Sequence, residues 1–446
     1  MIPPNSTQMH VRRVFAASVG LMLMLGGFVL APPALAVSPG ADGEISYVHR
    51  AIGSRSDLFV MNSNGSERGR LTKTRRVAES TPAWSPSGVL LAFQALSSGV
   101  RRIHVLNVSA GTVRRVSSGP FSDRLPTWSP NSRKIAYRSL RRLASGGDPG
   151  SADIYVVPVA GGTRVKLTSM AGINTDPAWS PDGTKIAFAS NSDGNYDLYV
   201  MDADGANVMN LTNDDASVPP LVNNRFPSWS PDGTKIAYTS NRVNRNEDIH
   251  YLDVSGGFAS PPSHRLTTDL ARDRSPAWSP SGSRIAFASN RGGTFNIWTM
   301  DAAGSGEARL TSGTAKKTEP SWQSLAGCTI VGTNGPNVID GTPGADVICA
   351  RGGNDRIRGR GGADRIFGGP GADVTRGGSG NDVIHSGRGN DTVHGDGGRD
   401  GLFSGYGRDT FFARDRQRDR LDGGPSRDRA RIDRRLDLRK RVEAFF

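Results

Sequence analysis

The amino-acid sequence predicts an all-β protein in which a six-bladed β-propeller is followed by an array of nine-residue repeats. Two observations support this prediction. A Pro-x-Trp tripeptide recurs six times between residues 82 and 322, and an aspartate occupies every ninth position from Asp346 to Asp409. At 446 residues the chain is longer than a usual single domain, so we assign 37–326 to the propeller and 327–412 to the second array.

The amino terminus has the pattern of a secretory signal peptide. Arg12 and Arg13 precede an apolar run over residues 14–30, and Ala34 and Ala36 form a small-x-small cleavage site. The alternative is an uncleaved membrane anchor, although this apolar run is at the short limit for crossing a bilayer. We therefore expect that residues 1–36 are removed, that the mature chain has no membrane span, and that the protein is secreted, extracellular or at the cell surface.

The first array has the period of propeller blades. Each Pro-x-Trp begins a unit of about 44–51 residues in which a Ser-Pro turn and three further short strands follow in most copies. The last copy, at Trp322, lacks its later strands, whereas the strand-forming segments 45–48 and 57–61 have no tryptophan before them. Both ends of the domain are therefore predicted to share one blade and close the ring.

These units, such as Trp179-Ser-Pro-Asp-Gly183, resemble the TolB-type propeller repeats. The resemblance implies that the ring surface and the central channel bind partner proteins, but no motif assigns particular contact residues. One tryptophan at the same position of every blade favours packing between neighbouring sheets over stacking on a ligand.

The second array combines glycine, aspartate and an apolar residue in a fixed frame. A glycine lies two residues before each aspartate, and a bulky apolar residue lies two residues after it in every copy except Thr375. Glycine lets the backbone bring its carbonyl groups close to a cation, and carboxylate oxygens suit calcium rather than zinc. The predicted metal-binding residues are Asp346, Asp355, Asp364, Asp373, Asp382, Asp391, Asp400 and Asp409.

This pattern resembles the RTX (hemolysin-type) calcium-binding nonapeptide repeats. The resemblance implies a parallel β-roll in which two nonapeptides form one coil and Ca²⁺ is the cofactor. It also implies that calcium lies between aspartates two repeats apart, such as Asp364 and Asp382. The alternative, a disordered glycine-rich linker, does not explain eight repeats in phase.

Cys328 and Cys349 are the two cysteines of the chain. In an exported protein we expect them to form a disulfide at the start of the roll. A thiolate metal site is the alternative, but no histidine lies near them in the sequence.

The segment 413–446 is rich in arginine and contributes to a formal net charge of +13. We interpret it as a basic cap on the end of the roll. The arginines could instead bind an anionic polymer or nucleic acid. Because Arg and Asp alternate without interleaved aromatic residues, the pattern favours a solvated face and no specific nucleic-acid contact.

These features predict a monomeric, non-enzymatic, secreted calcium-binding protein whose propeller binds an unknown protein or an anionic cell-wall polymer. The alternative is an extracellular propeller enzyme that acts on polysaccharide, because blades can bring distant carboxylates together in the channel. The sequence contains neither His-Glu-x-x-His nor Gly-x-Ser-x-Gly. A basic surface adhesin for anionic polymers is a third possibility.

Overall fold

The computed structural model describes residues 42–66, 68–72, 77–97, 99–108, 111–119, 121–140, 151–214, 221–325, 327–333, 335–424, 426–433 and 436–445. The predicted signal peptide lies outside these ranges. Within them the chain forms strands and turns, and no helix has the length and apolar character needed to cross a membrane.

Strands β1–β24 form six four-stranded antiparallel sheets, and this confirms the predicted six-bladed propeller. The strands are β1 (Asp42–Arg50), β2 (Asp57–Met61), β3 (Gly69–Arg70), β4 (Ala78–Trp84), β5 (Leu90–Ser97), β6 (Val100–Asn107), β7 (Thr112–Arg115), β8 (Ser122–Trp128), β9 (Lys134–Leu140), β10 (Ala152–Pro158), β11 (Val165–Lys166), β12 (Asn174–Trp179), β13 (Lys185–Ser190), β14 (Asp197–Asp202), β15 (Met209–Asn210), β16 (Asn224–Trp229), β17 (Lys235–Ser240), β18 (Asp248–Asp253), β19 (Ser263–Arg265), β20 (Asp273–Trp278), β21 (Arg284–Ser289), β22 (Asn296–Asp301), β23 (Ala308–Arg309) and β24 (Lys316–Ser324).

The ring is closed by strands from opposite ends of the propeller. Strand β24 pairs antiparallel with β1, with Trp322 opposite Ile45, and the sheet order is β24-β1-β2-β3. The other five sheets each use four consecutive strands. Strands β4, β8, β12, β16, β20 and β24 each contact the next one around the ring, so these six strands surround a central channel.

Each channel-lining strand contains an irregularity at the residue before its Pro-x-Trp. At this position the backbone is left-handed although no copy has glycine: Thr81, Leu125, Asp176, Phe226, Ser275 and Glu319 have φ between 49° and 58°. In β12 the pairing register with β13 shifts between Thr175 and Ala178, which marks a β-bulge around Asp176. The bulge turns this residue toward the channel.

The tryptophans pack at the seams between blades, as predicted. Trp229 joins a buried cluster with Ala187 and Leu198 of the preceding blade. Its indole Nε1 donates a hydrogen bond to the Ala178 carbonyl oxygen at 3.1 Å. Trp128 and Trp322 make the equivalent bond to their own preceding blades. The repeated tryptophan therefore binds neighbouring blades together.

Strands β25–β38 form a parallel β-solenoid of two seven-stranded sheets, which confirms the predicted roll. The odd sheet contains β25 (Ile330–Val331), β27 (Val347–Cys349), β29 (Arg365–Pro370), β31 (Val383–Arg388), β33 (Gly401–Tyr406), β35 (Arg420–Asp422) and β37 (Leu438–Lys440). The even sheet contains β26 (Val338–Asp340), β28 (Arg356–Gly361), β30 (Val374–Ser379), β32 (Thr392–Gly397), β34 (Thr410–Ala413), β36 (Arg429–Ile432) and β38 (Ala444–Phe445).

The apolar residue of each nonapeptide points between the two sheets. Ile357, Ile366, Ile384 and Val393 are at most 1% exposed and belong to one continuous core. Strands β35–β38 lie in the segment 413–446 and continue both sheets. This segment therefore contributes coils of its own where the sequence predicts a separate cap.

The roll contacts the blade that closes the propeller ring. Arg388, at the end of β31, forms an ion pair with Glu44. The Tyr406 hydroxyl, at the end of β33, donates a hydrogen bond to the Leu71 carbonyl oxygen at 2.6 Å. The disulfide between Cys328 and Cys349 lies at the start of the roll.

A chain that begins at Gly65 is expected to form an unstable propeller. It lacks β1 and β2, so β24 has no partner strand and the fully buried Ile45 and Leu58 are lost from the core. Thermal unfolding followed by circular dichroism should show a much lower midpoint than in a chain that begins at Val37. Equal midpoints for the two chains would contradict this closure.

Candidate calcium-binding ladder and propeller channel

The predicted aspartates form two columns along the roll. Asp346, Asp364, Asp382 and Asp400 follow one another in the first column, and Asp355, Asp373, Asp391 and Asp409 follow one another in the second. All eight are buried, with exposed fractions between 0% and 6%. The structure therefore brings together aspartates two repeats apart, as the resemblance implies. We call these two columns of aspartates the ladder.

Hydrogen bonds connect each aspartate to the one in the next coil. The backbone N–H of Asp364 donates to Oδ1 of Asp382 at 2.9 Å, and the N–H of Asp382 donates to Oδ1 of Asp400 at 2.9 Å. The second column repeats this bond, for example from Asp373 to Asp391 at 2.9 Å. One carboxylate oxygen of each aspartate is thus used to keep consecutive coils in register.

The other carboxylate oxygen has no described hydrogen-bond donor in several of these aspartates. Oδ2 of Asp364, Asp382 and Asp400 is buried and has no hydrogen-bond partner among the described residues. A buried carboxylate oxygen without a donor is costly, because it has lost its hydration. This observation fits a bound cation, and the hard oxygen fits calcium.

Glycine keeps the space beside these oxygens open. A Cβ atom added to Gly377 would lie 2.3 Å from Oδ2 of Asp382 and 2.6 Å from the Gly395 carbonyl oxygen in the next coil. Gly359 has the same relation to Asp364 and to the Gly377 carbonyl oxygen, at 2.2 and 2.4 Å. The glycine five residues before the aspartate therefore leaves an open space between a carboxylate oxygen and a carbonyl oxygen. We call this space the cradle.

Burial makes these carboxylates hard to ionise without a cation. It raises the pKa of Asp382 to about 6 and that of Asp400 to about 7. Burial, followed by the charges of Asp373 and Asp409, raises the pKa of Asp391 to about 8. The backbone N–H bonds oppose these shifts but do not cancel them.

The calcium-free roll is therefore expected to become more stable as the pH falls. A raised pKa means that the folded roll binds more protons than the unfolded chain, so this stability is full below the unfolded value near 4 and is lost as the pH rises through 6–8. Circular dichroism in calcium-free buffer should show more β-structure at pH 5 than at pH 8.5. Calcium affinity should fall over the same acidification, since protons compete for the carboxylates. A calcium-free spectrum that is the same at both pH values would contradict the prediction.

Asp346 differs from the other predicted ligands. Its Oδ2 accepts hydrogen bonds from the Thr342 N–H at 2.6 Å and from the Thr342 hydroxyl at 2.9 Å. These bonds lower the pKa of Asp346. Its carboxylate is thus already satisfied by the protein at the start of the ladder.

The ladder also continues past the predicted residues, through Asp419, Asp428 and Asp437. The N–H of Asp400 donates to Oδ1 of Asp419 at 2.9 Å, and the N–H of Asp409 donates to Oδ1 of Asp428 at 2.8 Å. Asp419 and Asp428 are 1% and 0% exposed, and their Oδ2 atoms have no hydrogen-bond partner among the described residues. In the sequence, the repeat-like segment 423–428 was the signal that could have predicted this continuation of the ladder. One inserted residue between Asp409 and Asp419 interrupts the nine-residue frame, so the regular spacing does not predict these aspartates.

The two histidines of the roll, His385 and His394, do not form a shared metal site. His385 lies in β31 of the odd sheet and His394 in β32 of the even sheet, so they do not converge. In the part of the chain that the structure describes, no three His, Cys, Asp or Glu side chains cluster as a metal site. The ladder instead offers stacked carboxylates and main-chain carbonyl groups.

The propeller channel contains two cavities lined by all six blades. One, of about 260 Å³, is bordered by the six repeated tryptophans and by prolines of the turns that follow them. The other, of about 160 Å³, is bordered by the six left-handed residues and their prolines. The tryptophans therefore form a largely apolar wall in addition to packing the seams, which sequence reasoning missed.

The acidic residues of the second cavity are engaged with the protein. Asp176 forms an ion pair with Arg225, at 2.9 Å between Oδ2 and Nε. Glu319 accepts a hydrogen bond from the Thr81 N–H at 2.7 Å, and burial raises its pKa.

Two family models match the chain. The TolB beta propeller domain matches residues 125–269 and 221–339. The RTX calcium-binding nonapeptide repeat (4 copies) matches residues 329–357, 341–375, 350–384 and 376–411.

Curated relatives and solved structures resemble the propeller. A TolB homolog of Chlorobium luteolum is 34% identical over 147 residues, which cover 33% of this chain and 31% of that protein. The homolog of Chlorobium chlorochromatii is 31% identical over 148 residues, with the same coverage. The chain thus spans about a third of the length of these relatives. The crystal structure of TolB from Acinetobacter baumannii shares the fold, with a TM-score of 0.55 and 24% identity over 63% of this chain and 66% of that chain. The chain therefore combines a propeller that matches the TolB beta propeller domain with a solenoid that matches the RTX calcium-binding nonapeptide repeats.

Proposed function

We propose that this protein is exported and non-enzymatic, that its roll folds on binding Ca²⁺, and that its propeller is a binding platform. The observation that carries the proposal is the column of buried Oδ2 atoms without hydrogen-bond partners, including those of Asp364, Asp382 and Asp400. Calcium would neutralise these carboxylates and connect consecutive coils. Aspartates of the ladder would hold the ion, together with carbonyl groups of the glycine-rich turns.

The channel supports a binding role over a catalytic one. Its carboxylates, Asp176 and Glu319, are held by an ion pair and by a backbone hydrogen bond, respectively. The apolar wall of tryptophan and proline suits a segment of a partner protein better than it suits acid–base chemistry. An anionic cell-wall polymer is less suited to this wall, whose lining residues are tryptophan, serine and proline.

Export agrees with the chemistry of the roll. Calcium is scarce in the cytosol and abundant outside the cell, so a calcium-dependent roll would fold after secretion. The signal peptide pattern and the disulfide of Cys328 and Cys349 point the same way.

Calorimetric titration of the full-length mature chain with calcium tests the proposal. We expect several calcium ions to bind at pH 7.5 and to remain bound in excess magnesium, because Mg²⁺ requires a smaller octahedral site and keeps its water. Absence of calcium binding, or equal binding of the two ions, would contradict it.

A further inference from the structure

The outer surface of the even sheet is strongly cationic. This arginine face carries eight arginines against three acidic residues, a difference of 8 − 3 = +5. The arginines are Arg356, Arg358, Arg360, Arg376, Arg414, Arg416, Arg429 and Arg431, and the acidic residues are Asp340, Asp396 and Asp433. All eight arginines are exposed. The propeller contacts described above come instead from strands of the odd sheet.

A polar cleft of about 510 Å³ lies at one end of this face. Its walls are formed by Arg414, Arg416 and Arg431, by the acidic residues Asp396 and Asp433, and by the rings of His394 and Phe412. Among the described residues, no acidic side chain forms an ion pair with any of these three arginines. Both aspartates of the cleft have other partners: Asp396 forms an ion pair with Arg376 at 3.0 Å, and Asp433 accepts a hydrogen bond from the backbone N–H of Arg416.

Two cleft residues have a backbone conformation that disfavours a side chain. Asp396 and Arg416 are left-handed, with φ of 62° and 71°. Gly378 aligns with Asp396 in the preceding coil of the same sheet and is also left-handed, with φ of 107°. Placing a charged side chain at such a turn is unfavourable for folding, and conformations of this kind concentrate at binding sites.

We infer that this cleft and the adjoining arginine face bind a linear acidic polysaccharide. Three arginines that line one cleft and have no ion pair among the described residues suit the carboxylate or sulfate groups of such a chain, to which arginine donates paired hydrogen bonds. The face extends from β28 to β36, about 19 Å at the usual spacing of strands, so a polymer can span several coils.

The aromatic pair argues against single-stranded nucleic acid. The rings of His394 and Phe412 stack on each other, with centroids 4.4 Å apart and planes 6° apart. Each ring therefore covers one face of the other, which leaves less aromatic surface in the cleft on which bases could stack.

The cleft also depends on the folded ladder. Arg414 and Arg416 lie between the ladder residues Asp409 and Asp419, and Arg431 follows Asp428. The arginines converge only when these coils are stacked. The inference rests on the proposed function in this respect, because polysaccharide binding should then require calcium.

Binding of the full-length mature chain to hyaluronate, dextran sulfate and neutral dextran tests the inference. In calcium we expect hyaluronate or dextran sulfate to bind and neutral dextran not to bind. The double variant R414Q/R431Q should bind at least about tenfold more weakly, because each substitution removes a charge-assisted contact. The matched variant R115Q/R133Q removes the same charge from exposed positions of the propeller and should bind within about twofold of the unmodified chain.

Equal affinities of the two double variants, absence of binding to both acidic polymers, binding of neutral dextran, or tighter binding of single-stranded DNA would each overturn the inference. Calcium-dependent circular dichroism of the same samples separates the two proposals. A roll that folds with calcium but binds no acidic polymer contradicts this inference alone. A roll that does not respond to calcium contradicts the proposed function.

Discussion

Removal of calcium is expected to unfold the roll and leave the propeller folded. Each nonapeptide buries at most one bulky apolar side chain, while buried carboxylates such as Asp382 and Asp391 lose their hydration. Without a cation this arrangement is too costly at neutral pH. The propeller has its own buried clusters at the blade seams, and the core of the roll contains none of their residues.

Limited proteolysis of the full-length chain in calcium and in chelator measures this difference. We expect cleavage throughout 338–445 in chelator, a protected propeller in both conditions, and full protection of the roll when calcium is restored. Magnesium at the same concentration serves as the control and should protect the roll much less. A roll that resists the protease equally with and without calcium would refute the prediction.

Replacing one central ladder carboxylate should greatly weaken calcium-driven folding. In Asp382→Asn the amide oxygen can still accept the hydrogen bond from the Asp364 N–H, but the charge beside the Gly377 cradle is lost. Since a central aspartate faces coils on both sides, we expect the calcium concentration at half-folding to rise about tenfold or more. A calcium titration followed by circular dichroism measures this midpoint.

Two other variants make this prediction specific. Asp340→Asn removes a carboxylate from the exposed face of the same roll and should leave the midpoint nearly unchanged. Asp346→Asn should have a smaller effect on the midpoint than Asp382→Asn, because Thr342 already satisfies the Asp346 carboxylate. Similar midpoint shifts in all three variants would show that general charge, and not ladder position, controls folding.

The regular parts of this fold could be predicted because the residues of each repeat encode its local structure. Tryptophan spacing predicted the six blades, and the nine-residue frame predicted which aspartates share a column. The frame failed after Asp409, where one residue is inserted and Gln417 occupies the place of the glycine before Asp419. Backbone hydrogen bonds between coils still bring Asp419 into the column, and no local pattern encodes those bonds.

The cavities could not be predicted for a different reason. The tryptophan wall of the channel combines residues about 45–50 positions apart, and its shape depends on how the blades pack. The left-handed backbone conformation before each Pro-x-Trp could not be predicted either, because residues as different as Phe226 and Glu319 occupy that position. Convergence of Arg414, Arg416 and Arg431 likewise follows from the stacking of coils and not from their spacing in the chain.

Hydrogen–deuterium exchange of the full-length chain, with and without calcium, tests the central claim most directly. The backbone N–H groups of Asp364, Asp373 and Asp382 each donate to an aspartate in the next coil, so they report whether the ladder is formed. We predict slow exchange of peptides that contain these residues in calcium and rapid exchange in chelator, with propeller peptides unchanged. Equally slow exchange of the ladder peptides in both conditions would contradict the claim that calcium holds the roll together.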